Sequence, residues 1–335
     1  MKAIVYDQSG LPIDDSRALF EVDMPKPVPG PRDLLVKIEA ISVNPVDTKV
    51  RAGGQPASPR ILGWDAVGTV EAIGAEVALF ETGDKVWYAG DITRPGSYAE
   101  YGLVDERIAG HRPGSVSAAQ AAALPLTAIT AWELLFDRLN VPEGGGTGQS
   151  LLVIGASGGV GSILLQLASK LTALTVIGTA SRPATQAWVR ELGAHHVVDH
   201  GKPLQAQLAA IGINHVDHVI SLTHTDSYYA QIIELLKPEG QLALIDDPAA
   251  LDAMPLKRKS ISLHWEFMFT RSMFKTSDMI RQHELLDRVS ALLDQGVLRT
   301  TLGEHGGAIT AENLRRAHAL IESQKAVGKI VLEGF

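Results

Sequence analysis

The segment Leu151-Leu-Val-Ile-Gly-Ala-Ser-Gly-Gly-Val-Gly-Ser162 restricts the fold of this chain more than any other. Its first four residues are an apolar run, short enough for a buried strand, that stops at Gly155. A glycine-rich turn follows, and an apolar helix is predicted over Ile163 to Leu171. Strand, tight turn and helix N-terminus in that order suit a dinucleotide pyrophosphate. The candidate contacts are Ala156, Ser157, Gly158, Gly159, Val160 and Gly161. Gly158 lets the backbone approach a phosphate, Gly161 lets helix and strand pack closely, and the free N–H groups face the anion. Ala156 stands where the usual fingerprint has its first glycine, a tolerable change at a tight turn. Glycine-rich turns also arise for structural reasons alone, so the strand-turn-helix setting carries the reading.

Downstream the pattern alternates. Strands are predicted at Leu151–Ile154, Thr175–Ile177, His196–Val198, His218–Ile220, Leu242–Ile245 and Ser260–His264, with helices such as Thr185–Leu192 and Ser227–Leu236 between them. Such alternation implies parallel βαβ units and a doubly wound α/β sheet. Upstream, segments such as Leu34–Ala40, Val67–Ile73 and Lys85–Tyr88 are strand-like and punctuated by Pro and Gly. After helix Ser277–Gln295, the ending Lys329-Ile-Val-Leu332 reads as a strand returning to that first region. The expected organisation is a nucleotide domain over 125–265, inserted in a β-rich domain built from 1–124 and 266–335.

Composition closes off other classes. The 335 residues carry a net charge of −8, which argues against nucleic acid as a general partner. There is no cysteine, so disulfides, thiolate catalysis and cysteine-ligated metal are excluded. The acidic Asp7 comes too early for a signal peptide. Gln120 and Pro125 interrupt the apolar stretch Ala118–Trp132, so no membrane span is expected there. A soluble, cytoplasmic protein is the expectation.

Seven motifs, in order, make the chain resemble the medium-chain dehydrogenase/reductase superfamily, in its zinc-independent quinone oxidoreductase branch. They are Asn44-Pro-Val-Asp-Thr-Lys-Val-Arg51, Gly63-Trp-Asp-Ala-Val-Gly-Thr-Val70, Gly83-Asp-Lys-Val86, Gly96-Ser-Tyr-Ala-Glu-Tyr101, Leu124-Pro-Leu-Thr-Ala-Ile-Thr-Ala-Trp132, the glycine turn, and Gly328-Lys-Ile-Val-Leu332. The resemblance implies a GroES-like β domain plus a Rossmann domain, with the active site in the cleft between them. Relatives that oxidise alcohols hold a catalytic zinc with cysteine and histidine. By resemblance the first ligand corresponds to Asn44, the histidine to Trp64, and the third falls around Pro125-Leu126; none of these suits zinc. The four-cysteine structural lobe, expected between Tyr101 and Arg112, is also missing. His195 and His196 are adjacent, so in a strand they point to opposite faces and cannot share one metal. No metal is expected.

Domains that select NAD carry an acidic residue at the end of the second strand. Here Leu174 to Gly178 runs into Thr179-Ala-Ser-Arg-Pro183, and Ser181 and Arg182 offer a hydroxyl and a guanidinium fork suited to a 2′-phosphate. NADPH is therefore the expected cofactor. By resemblance His200 would be a second phosphate contact, and it reads equally as a solvated loop residue. Without zinc, removal of a proton from an unactivated alcohol is hard, whereas hydride addition to a quinone or α,β-unsaturated carbonyl requires less. Asn44 is the first candidate donor to the developing oxyanion, with Asp47, Lys49 and Trp64 as further catalytic candidates.

Each has a plainer reading. Asp47 fits a helix start or an ion pair with Arg51, Lys49 a solvated side chain, and Trp64 the core. Thr127 and Thr130 resemble the family's cofactor-side threonines, or bond back within their helix. Lys329 matches a motif lysine near the cofactor. The aromatic stretch His264–Phe274 suits an acceptor pocket, a homodimer contact or core packing alike. The expected activity is an NADPH-dependent quinone or enone reductase. The alternatives are a 2-alkenal or enoyl-thioester reductase and a non-catalytic NADPH-binding protein.

Overall fold

Short apolar segments separated by Pro and Gly leave the first part of the chain little choice but strands. These are β1 (Lys2–Tyr6), β2 (Phe20–Asp23), β3 (Asp33–Val43), β4 (Arg60–Ile61), β5 (Ala66–Ile73), β6 (Lys85–Tyr88), β7 (Tyr101–Asp105) and β8 (Ala109–His111). One helix, α1 (Pro45–Gly53), interrupts them, and α2 (Ala118–Ala122) and α3 (Pro125–Trp132) follow. In the computed structural model, which describes residues 1–335, the chain divides into two units, Met1–Ile129 with Phe269–Phe335 and Thr130–Met268.

The second unit holds β9 (Ser150–Ile154), α4 (Gly159–Leu171), β10 (Thr175–Thr179), α5 (Pro183–Glu191), β11 (His196–Val198), α6 (Leu204–Ala210) and β12 (Val216–Ser221). It continues through α7 (Thr225–Leu235), β13 (Leu236–Leu244), α8 (Met254–Lys257) and β14 (Ser262–Trp265). The chain then returns to the first unit through α9 (Thr270–Phe274), α10 (Arg281–Asp294), β15 (Leu302–His305), α11 (Ala311–Glu322) and β16 (Lys329–Glu333).

In the first unit β2-β1-β4 form a small sheet, and a seven-stranded sheet runs β15-β16-β3-β5-β6-β8 with β7 also on β3. β3 organises that sheet. One of its edges pairs with β5, and the other is shared, Asp33–Lys37 with β7 and Ala40–Val43 with β16. β3 is buried along most of its length, and only Lys37 is exposed. Its register with β5 shifts between Leu35 and Val36 and between Ile38 and Ala40. There a Cβ on Gly68 would lie 2.2 Å from the Lys37 carbonyl oxygen, so only glycine fits. This is the GroES-like domain, and the ending Lys329–Leu332 does return to it as a strand.

In the second unit six parallel strands run in the order β11-β10-β9-β12-β13-β14. That is the Rossmann order, with its switch point between β9 and β12. β9 is buried along its whole length, as a central parallel strand must be. Leu152, Ile154, Ile177, Val219, Leu242 and Leu244 of the sheet share one core cluster with Leu204 and Leu208 of α6 and Ile232 and Leu235 of α7. The Lys259 ammonium closes the C-terminal end of α7 by donating to the carbonyls of Ile233, Glu234 and Leu236, each at 2.8 Å.

Two sequence expectations shift. Helix α4 begins at Gly159, not Ile163, because Gly159 and Gly161 take helical geometry and carry its N-terminus into the glycine turn. The helical run Ala118–Arg138 is long and apolar enough to cross a membrane by length and composition. Pro125 opens α3 without breaking that run, and 83% of its most apolar window is buried inside the protein, the pattern of a core helix.

Candidate functional site

The Asn44 and Gly63-Trp-Asp65 motifs meet in the first unit as a buried polar hub centred on Asp65. Asn44 closes the end of β3 and precedes Pro45, whose fixed φ starts α1. Asp65 Oδ2 accepts from Ser42 Oγ at 2.6 Å, Asn44 Nδ2 at 2.8 Å and the Lys329 ammonium at 3.2 Å. Its Oδ1 accepts from the Leu126 backbone N–H at 2.8 Å. Lys329, on β16, also donates to the Val43 carbonyl at 3.0 Å and to Asn44 Oδ1. Burial pushes the Asp65 carboxyl up and the Lys329 ammonium down, while each partner opposes the shift of the other. Four donors on one carboxylate are what a buried charge requires.

A second chain runs beside it. Asp47 Oδ2 accepts from the Asn44 backbone N–H at 2.7 Å and from Tyr98 OH at 2.9 Å, and Tyr98 OH lies 3.1 Å from His318 Nε2 on α11. Burial pushes the Asp47 carboxyl up to about 7 against the donors from Asn44 and Tyr98, and its Oδ1 has no hydrogen-bond partner. Burial and the nearby Arg51 push His318 down to about 3. Of the two plainer readings of Asp47, the helix start forms, its carboxylate accepting from the Asn44 N–H, and Arg51 bonds the Leu11 carbonyl and Glu322.

Of the catalytic candidates only Lys49 is exposed. Asn44 spends its amide on Asp65 and, at 3.5 Å, on the Trp64 carbonyl. Trp64 is 1% exposed, set edge-on to Phe269 at 6.0 Å, with its Nε1 donating to the Asp91 carbonyl at 3.3 Å. It is buried in the core. Lys329 is equally enclosed, within the hub. Thr127 donates to the Leu124 carbonyl at 3.0 Å, the back-bond within its helix, and Thr130 is buried on the same helix.

An indole N–H has no lone pair for a metal, and the Asn44 oxygen already faces an ammonium. The donors at these positions do not fit zinc.

In the second unit the glycine turn sits at the switch point. Gly155 takes φ +83°, a left-handed conformation, and its N–H donates to Thr179 Oγ1 at 3.1 Å, tying the turn to the end of β10. A Cβ on Gly161 would come within 2.6 Å of Ala156 Cα and of the Gly155 and Ala156 carbonyl oxygens, whereas one on Gly158 would meet only the Gly155 oxygen at 3.5 Å. Gly161 is therefore demanded by helix–turn packing, and Gly158 leaves room for an approaching group. Ala156 is buried; Ser157, Gly158, Gly159 and Val160 are half-buried around the N-terminus of α4. Ser181 and Arg182 are exposed just beyond β10, with Arg182 at the start of α5, and His200 is exposed just beyond β11.

Sequence reasoning missed the loop after β12. The Leu222 N–H donates to the Ile154 carbonyl at 3.1 Å, which lays this loop against the glycine turn. His224 there adopts φ +52°, ψ +35°, rare for a residue with a side chain, and its Nδ1 lies 2.7 Å from Thr223 Oγ1. Asp246 pins the loop by accepting from the Thr225 N–H and hydroxyl. The hub's Asp65 was missed too, although an acid inside an apolar run signals a buried partner.

Residues 192–332 match the zinc-binding dehydrogenase family and residues 30–115 the alcohol dehydrogenase GroES-like domain. A zinc-type alcohol dehydrogenase-like protein of Staphylococcus aureus strain MSSA476 is 44% identical over 320 residues, covering 94% of this chain and 95% of that protein. A quinone oxidoreductase of Lama guanicoe is 29% identical, covering 93% and 92%. Among solved structures, a candidate zinc-dependent alcohol dehydrogenase from Rhizobium etli CFN 42 superposes with a TM-score of 0.96 at 53% identity, covering 100% of this chain and 98% of that one.

Proposed function

The chain belongs to the medium-chain dehydrogenase/reductase superfamily, and from that membership we propose a zinc-independent, NADPH-dependent reductase of quinones or α,β-unsaturated carbonyls. The observation that carries the proposal is the donor set at the family's catalytic metal position. Asn44 and Trp64 are committed to Asp65, Lys329 and Asp91, and neither offers a metal a ligand. Without a Lewis acid, acceptors that are already electrophilic are favoured over alcohols.

Ala156, Ser157, Gly158, Gly159, Val160 and Gly161 would hold the pyrophosphate through backbone N–H groups at the start of α4. Ser181 and Arg182 would bind the 2′-phosphate, with His200 beside them. When bound, a reduced nicotinamide would supply the hydride, and the protein's part is to orient it and to stabilise the oxyanion that forms on the acceptor. Lys49 is the donor we assign to that oxyanion, since it alone of Asn44, Asp47, Lys49 and Trp64 is exposed. A cytoplasmic homodimer completes the reading.

Oxidation of NADPH and NADH by the chelator-treated protein tests it, against a benzoquinone, a naphthoquinone, a 2-alkenal, an enoyl thioester and, in reverse, a simple alcohol. We expect NADPH-preferred, chelator-insensitive turnover of a quinone or enone. Alcohol oxidation lost with chelator would overturn the proposal. Turnover confined to the thioester or alkenal would move the acceptor, and binding without turnover would point to a non-catalytic role. Replacing Arg182 with alanine should cut NADPH affinity by about tenfold, one charge-assisted phosphate contact, and leave NADH affinity unchanged. An unaltered NADPH-to-NADH preference in fluorescence titration would sink the phosphate assignment.

A further inference from the structure

In the first unit Tyr98, in the loop before β7, ties Asp47 of α1 to His318 of α11. All three side chains are fully enclosed, with 0% exposure. The Tyr98 hydroxyl lies 2.9 Å from Asp47 Oδ2 and 3.1 Å from His318 Nε2. Its ring stands edge-on to the imidazole at 5.9 Å and is seated against Gly63, where a Cβ would come within 2.4 Å of Tyr98 Cδ1. The outer atoms of this chain, Asp47 Oδ1 and His318 Nδ1, are buried with no hydrogen-bond partner.

A phenol has one hydrogen to give, and here it sits between two groups that can each accept it. Two directions are open. In the first, Asp47 is a carboxylate, Tyr98 donates to it, and His318 donates its Nε2–H to the phenol oxygen. In the second, Asp47 is an acid that donates to Tyr98, Tyr98 donates to His318 Nε2, and the imidazole carries its hydrogen on Nδ1. The imidazole is neutral in both, and they differ by one proton. That proton comes from solvent to Nδ1, where an N–H bond forms. The Nε2 hydrogen then passes to the phenol oxygen, and the phenol hydrogen passes to Asp47 Oδ2. Uptake removes a buried anion whose second oxygen has no donor, the costly state of the pair.

We infer that Asp47, Tyr98 and His318 form a proton relay, a buried site that takes up one proton at His318 Nδ1 and stores it on Asp47. Its ligand is the proton itself, and with the proton bound all three side chains are neutral.

The surrounding charges fit this. Burial pushes the Asp47 carboxyl up to about 7, with Lys329 on β16 opposing the rise and Asp65 adding to it. Burial and then Arg51 on α1 push the His318 imidazole down to about 3, and Arg51 is itself paired with Glu322 of α11 at 2.6 Å. Tyr6 of β1 faces α1 and donates to the Val50 carbonyl at 3.3 Å. The two shifts act on stability with opposite signs. On Asp47 the folded chain holds a proton that the unfolded chain releases. That contribution is fully present below the ordinary aspartate range and is lost as pH rises through 7. On His318 the unfolded chain holds a proton that the folded chain refuses. That contribution is present above the ordinary histidine range and is lost as pH falls towards 3. Between about pH 4 and about pH 6.5 the two cancel, because folding moves one proton from imidazole to carboxyl.

Nitrogen-15 spectra of the full-length protein, with the His318 signals assigned through His318→Gln, read the relay directly. We expect a neutral imidazole throughout, carrying its hydrogen on Nδ1 at pH 5.5 and on Nε2 at pH 8.5. Asp47→Asn keeps an acceptor oxygen but cannot take the proton, so it should hold the hydrogen on Nε2 at both. An imidazolium at pH 5.5, or one tautomer at both pH values in the native protein, would overturn the inference. Urea unfolding supplies a second readout. As pH falls from 6.5 to 4.5, Asp47→Asn should lose stability relative to the native protein and His318→Gln should gain it. Each should change the unfolding constant by up to about tenfold per pH unit. Changes of the same sign, or none, would equally overturn the inference.

Discussion

Replacing Asp65 with alanine is expected to cost about 3–5 kcal/mol of stability, the usual penalty for breaking a buried ion pair from one side. The substitution strands the Lys329 ammonium, which is 3% exposed, and removes the acceptor of Ser42, Asn44 and the Leu126 N–H. Urea denaturation of the purified variant measures it. A loss below about 1 kcal/mol would mean that the hub is hydrated or that its charges are neutralised in another way. The double variant Asp65→Asn with Lys329→Met removes both charges together. It should recover much of the loss, because a buried pair is costly to halve and cheap to delete.

Substituting Gly161 with valine should weaken dinucleotide binding by at least about tenfold, or 1.4 kcal/mol, while leaving the β-rich unit folded. The first side-chain carbon alone would sit 2.6 Å from Ala156 Cα, so α4 must move away from the turn. The N–H groups at its start then lose their common focus. Fluorescence titration with NADPH and circular dichroism of the same sample separate a lost site from a lost fold. Unchanged affinity in a folded variant would remove the glycine turn from the cofactor reading.

The local patterns in the chain were readable, and the long-range pairings were not. The strand Leu151–Ile154 and the turn after it show in the sequence because their requirements are local: an apolar run, then residues that tolerate close backbone approach. The strand Lys329–Leu332 was recognisable as a return to the first domain through its motif. The partner of its lysine was not, because Lys329 reaches Asn44 across 285 positions. Trp64 read equally well as a pocket wall or as core, and only burial decides that. The π-turn at Glu133 has no periodic signature that a helix lacks. The left-handed His224 is a backbone state that composition does not announce.

The order of the strands also sets the order in which the protein can be made. The second unit is one uninterrupted stretch, Thr130–Met268, and can close on itself as soon as those residues have left the ribosome. The large sheet of the first unit cannot. Its central strand β3, synthesised early, keeps the edge at Ala40–Val43 unpaired until Ile330–Glu333 arrive to cover it. During that interval an apolar strand edge is open to mispairing, and Asp65 waits with it for Lys329. Stalled or truncated nascent chains that lack residues 329–333 should therefore be substrates for chaperones, while the finished chain is not.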